Sequence, residues 1–142
     1  MKFVIITIFS TILSIASVSG ESLSPKKPLI KHEVQFNNHP FAVYEKRAAQ
    51  PANVIVLIHG RTISALPNFD LHVGSKNKSF MDALVESGFN VYAIDLRGFG
   101  NTPRDQSGWN TPEKAASDVK ELLKWVANRH PQNSKPSLFG YS

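Results

Sequence analysis

The period of the apolar positions changes along the chain, and each change marks an element. His32, Val34 and Phe36 alternate with polar neighbours, and Phe41 and Val43 do so after the break Asn37-Asn38-His39-Pro40. Period two with an Asn-rich break predicts two strands joined as a hairpin. "PANVIVLIHG" then brings consecutive aliphatic residues at 54–58, bounded by proline and glycine. A short β-branched run of this kind predicts a strand buried on both faces, as in a parallel sheet under helices. Residues 61–77 are polar and read as a long loop. In "KSFMDALVESG", Phe80, Met81, Leu84 and Val85 recur at helical spacing and Gly88 supplies a stop, predicting an amphipathic helix. "FNVYAIDLRGFG" reads as a strand running into a glycine-rich turn. The next segment, "TPEKAASDVKELLKWVANRHP", predicts the clearest helix. Thr111 can cap it, Pro112 suits its first turn, and Ala115, Val119, Leu122 and Val126 form its apolar stripe. A last strand is expected from about Ser137 to Gly140. The order is a β-hairpin followed by β-α-β-α-β, which predicts an α/β fold with a parallel sheet.

The first residues follow a different rule. One lysine precedes an apolar run over residues 3–18, and small residues Ser17, Val18, Ser19 and Gly20 follow. This is the pattern of a secretory signal peptide over residues 1–20, cleaved near Ser19 and Gly20. The run is short for a bilayer span of roughly 20 residues. The expected location is therefore secreted or periplasmic, with no stable membrane insertion after cleavage. Residues 21–30 hold prolines and lysines and form a leader, and residues 31–142 form the domain.

Composition narrows the chemistry. The net charge of +5 comes from lysines scattered along the chain, with no dense block and no interleaved aromatics, so no nucleic-acid partner is expected. The chain has no cysteine, which excludes a disulfide scaffold, a thiolate metal site and a cysteine nucleophile. No motif calls for a metal or another cofactor. In "DLRGFG", the third glycine of a G-x-G-x-x-G phosphate loop would fall at Pro103, so nucleotide binding is disfavoured. Asp95 and Arg97 are expected to shape that turn instead.

Two strand ends carry candidate chemistry. His59-Gly60-Arg61 follows the buried aliphatic strand, where α/β proteins build their sites. Its backbone amides suit an oxyanion, while the His59 side chain is expected to be buried and to tie the loop down. Gly140-Tyr141-Ser142 follows the last strand and matches the first half of G-x-S-x-G, in which a serine sits on a sharp strand-to-helix turn.

Taken in order, "VIVLIHG", "NVYAIDLRGFGNT" and "LFGYS" resemble the oxyanion-loop strand, the following strand and turn, and the nucleophile strand of the α/β-hydrolase superfamily, in particular its lipase- and esterase-like members. The resemblance covers roughly residues 31–142. It implies that Ser142 is the nucleophile, that the backbone N–H of Arg61 serves the oxyanion hole, and that His59, Gly60 and Gly140 support them structurally. It further implies a small-molecule or lipid ester as substrate, with the triad acid and histidine following the nucleophile in the chain. None of His32, His39, His59, His72 and His130 holds the base position, and Asp95, preceding the nucleophile, has no triad role. The expectation is an N-terminal fragment of a secreted serine hydrolase acting on carboxylic esters or amides. The 142 residues alone are expected to be inactive and to leave an apolar sheet edge exposed. The alternative is a non-catalytic α/β-hydrolase-like binding protein or a degraded gene product.

Overall fold

The computed structural model describes residues 26–50, 53–74, 76–133 and 135–141. The expected signal peptide and Ser142 lie outside the described residues. The elements are β1 (Ile30–Phe36), β2 (His39–Lys46), β3 (Asn53–Ile58), α1 (Ala65–Phe69), β4 (Asp70–Val73), β5 (Lys76–Ser79), α2 (Phe80–Glu86), β6 (Phe89–Ile94), α3 (Pro112–Arg129) and β7 (Ser137–Gly140). A five-stranded sheet has the order β1-β2-β6-β3-β7. β1, β2 and β6 pair antiparallel, whereas β6, β3 and β7 run parallel. The N-terminal hairpin and the parallel unit are thus one sheet, and the fold is α/β as expected.

Local chemistry explains the elements. Asn37 and Asn38 both have positive φ, 50° and 58°. That is the backbone of a two-residue hairpin turn matched to strand twist, and asparagine tolerates it best after glycine. His39 and Pro40 belong to β2 rather than to the turn. The Thr111 side chain accepts the Lys114 N–H at 3.3 Å, and Pro112 opens α3. Ser79 caps α2 by accepting the Asp82 N–H at 2.9 Å. Gly88, with φ +86°, turns the chain into β6.

Alternation along the strands divides the core. Phe41 and Val43 of β2 join Val54, Val56, Tyr92 and Ile94 under Leu122 and Val126 of α3. Ala42 and Tyr44 face the other way, toward Leu57, Ala65, Phe69, Met81 and Val85. Burying a side chain such as Leu122 contributes ~1.5–3 kcal/mol. Ala115 and Val119, expected on the same stripe, are half-buried and line an apolar groove between α3 and β7. Leu138 and Phe139 of β7 are 54% and 38% exposed. Among the described residues, no helix is long and apolar enough to cross a membrane.

The polar stretch 61–77 is not one long loop. It contains α1 and the β4–β5 hairpin, with Gly74 at φ +58° between its strands.

Below the sheet, buried Glu45 collects Arg47 Nε at 2.6 Å, His32 Nε2 at 2.7 Å and the Tyr92 hydroxyl at 2.8 Å. Tyr92 gives its single proton to Glu45, so the His130 Nε2, 2.7 Å away, is the donor in that pair. Burial alone would raise the Glu45 carboxyl, but the bonds from Arg47, Tyr92 and His32 outweigh it and hold the group at about 2 instead of 4.5. A depressed carboxyl contributes stability that is present above 4.5 and lost as pH falls toward 2. Glu45→Gln should therefore flatten the fall of unfolding free energy between about pH 4.5 and pH 3, by about 1 kcal/mol per pH unit. Urea unfolding across that range measures it, and equal slopes would show that Glu45 is not the titrating group.

Candidate active site

The C-terminal ends of β3, β6 and β7 lie side by side, with Ile58 registered against both Ile94 and Gly140. The residues that follow them, His59 and Asp95, are both buried. Leu96 N–H donates to His59 Nε2 at 3.0 Å. A backbone N–H can only donate, so Nε2 accepts and Nδ1 carries the proton, which it gives to the Gly60 carbonyl at 2.7 Å. His59 thus fastens the loop after β3 to the loop after β6. Its ring also packs on Phe99, with centroids 5.0 Å apart.

That fastening orients the next amide. Gly60 C=O and Arg61 N–H belong to one peptide plane, and a trans peptide points them in opposite directions. The Gly60 oxygen faces the His59 ring and also accepts the Ile63 N–H at 3.5 Å. The Arg61 N–H is turned away from both and has no hydrogen-bond partner among the described residues. Arg61 lines a cleft of about 530 Å³, as do His59, Gly60 and Tyr141. Tyr141 N–H donates to Ile58 O at 3.0 Å, so the pairing of β7 with β3 carries to the residue before Ser142.

Asp95 braces the arrangement from beneath. Its Oδ1 accepts Ala65 N–H at 2.8 Å, and its Oδ2 accepts the Tyr44 hydroxyl and Asn101 N–H, each at 2.8 Å. One carboxylate therefore ties β2, the start of α1 and the β6–α3 loop together. Burial first, and then the neighbouring Asp95, push the Tyr44 hydroxyl up to about 12. Gly100, at φ +51°, lies so close that a Cβ there would overlap the carboxylate. Asp95→Asn would turn an amide NH₂ toward a backbone donor, leaving it unsatisfied. The expected loss is about 2–3 kcal/mol in urea unfolding. A loss within 0.5 kcal/mol, the ordinary range for surface substitutions, would show that these bonds do not hold the loops.

The expected site residues fare differently. His59, Gly60 and Arg61 come together at one end of the sheet, with Tyr141 beside them on the neighbouring strand. A Cβ on Gly140 would meet nothing within 4 Å, so no close approach among the described residues demands glycine there. Phe69 and His72, which fall in the stretch read as a long loop, do not line this cleft. Phe69 is buried against Phe80 and Phe139, and His72 sits on β4, 3.0 Å from Asp70. The other wall of the cleft is formed by Arg97, Arg104, Asp105 and Trp109 in the β6–α3 loop. Sequence reading gave Arg97 a turn-shaping role and did not single out the rest. The signal was there in an unusually long connection carrying glycine, tryptophan and two further charges.

A sheet of this order, with its cleft at the ends of the parallel strands behind an H-G loop, defines an α/β hydrolase. The model of the family described as serine aminopeptidase, S33, matches residues 49–142, well over half of the chain, and the chain belongs to that family. No curated protein matches it. Among solved structures it is similar to an esterase of Pyrococcus furiosus, with 19% identity and a TM-score of 0.65 over 90% of this chain and 44% of the esterase. It is also similar to an alpha-beta serine hydrolase homologue from Coxiella burnetii, with 18% identity and a TM-score of 0.64 over 80% of this chain and 51% of that one. A thioesterase domain from the curacin biosynthetic pathway matches at 15% identity and a TM-score of 0.59, over 81% of this chain and 37% of that domain. At these identities the likeness is one of fold. The chain spans about half or less of the length of each.

Proposed function

We propose that the full-length protein is an exported serine hydrolase acting on carboxylic esters, with amides as the second substrate class. Ser142 attacks the carbonyl, and the Arg61 N–H holds the developing oxyanion. What supports this reading is the Gly60–Arg61 peptide, held by the His59 bond to the Gly60 carbonyl beside the cleft that Arg61 and Tyr141 both line. Oxyanion stabilisation requires donors fixed before reaction, and His59 supplies that fixing.

Serine also needs a base. Of the five histidines, only His59 lines the cleft, and both its nitrogens are engaged in holding loops. The base is therefore assigned to the protein outside these residues. Export is assigned from the apolar run and small residues of positions 1–20. A fluorophosphonate probe should label the full-length protein, with the modified peptide containing Ser142 by mass spectrometry. Failure to label at that serine would favour the non-catalytic, α/β-hydrolase-like reading.

A further inference from the structure

We infer that the cleft recognises substrates bearing an oxyanion group, a carboxylate or a phosphate, through Arg61 and Arg104. This rests on the hydrolase reading above and specifies its substrate class. Three arginines line the cleft against one acidic residue, Asp105. The pairing among them is unequal. Arg97 is consumed, donating to Asp118 through Nε at 2.7 Å and Nη2 at 2.8 Å and to Asp105 through Nη1 at 3.3 Å. Asp105 is also saturated, because Lys114 Nζ donates to it at 2.8 Å and the Ser107 hydroxyl at 2.5 Å. The Lys114 and Ser107 bonds hold its carboxyl well below the ordinary carboxylate range.

Arg61 and Arg104 are left with no carboxylate partner among the described residues. Arg104 is nonetheless held in place. Its Nη1 donates to the Gly108 carbonyl at 3.1 Å, and its side chain lies over Gly98, where a Cβ would meet Cγ at 2.9 Å. Positive φ at Gly98 and the missing side chain make room for that arginine. The start of α3 adds the positive end of its dipole to the same wall, since Thr111 and Pro112 line the cleft. Charges of one sign inside a cleft focus the field on a ligand, and a guanidinium recognises a carboxylate or phosphate through paired hydrogen bonds.

Full-length protein carrying Ser142→Ala, whose turnover is expected to be ~10⁴- to 10⁶-fold slower, allows binding to be read essentially without catalysis. In calorimetric titration, monomethyl adipate should bind at least ~10-fold more tightly than methyl hexanoate, the neutral ester of equal chain length. Methyl phosphate should compete with the adipate ester if the site accepts either oxyanion, and failure to compete would confine the site to carboxylates and overturn the phosphate half of the assignment. The preference should shrink in ~0.5 M salt. It should fall to about twofold or less in Arg104→Gln and persist in Lys78→Gln, a control of equal charge change on β5. Equal binding of the two esters, no binding of either, or a preference that survives the combined Arg61→Gln and Arg104→Gln changes would overturn the assignment. Labelling of Ser142 by the fluorophosphonate is scored separately, so loss of one reading is not mistaken for loss of the other.

Discussion

Replacing Ser142 with alanine should lower kcat/KM of the full-length protein on p-nitrophenyl esters by ~10⁴- to 10⁶-fold. The size of the loss follows from what serine requires. A free hydroxyl is a weak nucleophile, and a base and an oxyanion hole act on it as one unit. On the proposed reading, removing the hydroxyl idles the base and leaves the Arg61 amide free to bind a carbonyl oxygen. Residual catalysis above the uncatalysed rate should therefore remain, on the order of 10³-fold. Stability should change little, because Tyr141 is anchored by its own amide on Ile58 O at 3.0 Å. Urea unfolding beside steady-state kinetics separates the two effects. A variant within ~10-fold of wild type would remove Ser142 from the nucleophile role, since losses of that size arise from mispositioning alone.

The elements that could be read from the chain are those whose cause is local. The aliphatic run of β3 needs only its neighbours to be recognised, and so do the Asn37-Asn38 turn and the Thr111-Pro112 opening of α3. His59 was readable because H-G after a buried strand constrains both its burial and its bonds. What escaped is held by partners distant in sequence. The β4–β5 hairpin consists of Asp70–Val73 and Lys76–Ser79, and its one apolar pair, Leu71 and Val73, is exposed and too short a run to mark a strand. Its anchor is Lys46, from a strand more than twenty residues earlier. Glu45 and Lys46 are adjacent, so alternation would put one of them in solvent, yet both are buried. β2 is an interior strand, and each of its faces offers a charged partner: Arg47, His32 and Arg129 for Glu45, and Asp70 and Asp82 for Lys46. Arg104 escaped for a similar reason. Its value to the cleft depends on Asp105 and Asp118 being occupied by other cations, which sequence spacing does not reveal.

Lys46→Met should cost ~3–5 kcal/mol of unfolding free energy near neutral pH. Lys46 is fully buried, and its Nζ donates to Asp70 Oδ1 at 2.5 Å and Asp82 Oδ1 at 2.6 Å. Side-chain nitrogen and oxygen atoms of Asp70, His72 and Asp82 lie within 4.8 Å of one another, and the ammonium supplies positive charge among them. Ser79 Oγ donates to Asp70 at 2.5 Å, and Asn77 Nδ2 donates to Asp82 at 2.7 Å. Burial alone would raise Asp70, and it is Lys46 and Ser79 that bring it below its ordinary value. Methionine matches the length of the stem but leaves two carboxylates facing each other in a dry site. Such a cluster relieves its repulsion by taking up a proton on folding. The sign of the pH effect follows. Wild type keeps the stability of a depressed Asp70 above its unfolded value and loses it as pH falls. The variant regains stability over the same fall because its carboxyls bind protons on folding. The deficit should therefore be largest near pH 7 and should shrink by more than half near pH 4.5, the ordinary carboxylate range. Adding Asp70→Asn and Asp82→Asn to Lys46→Met should recover most of the loss, because no charge is then left unpaired. A Lys46→Met protein within 1 kcal/mol of wild type at pH 7, or a deficit that does not change with pH, would mean that something other than this buried ion triad holds the β4–β5 hairpin against the sheet.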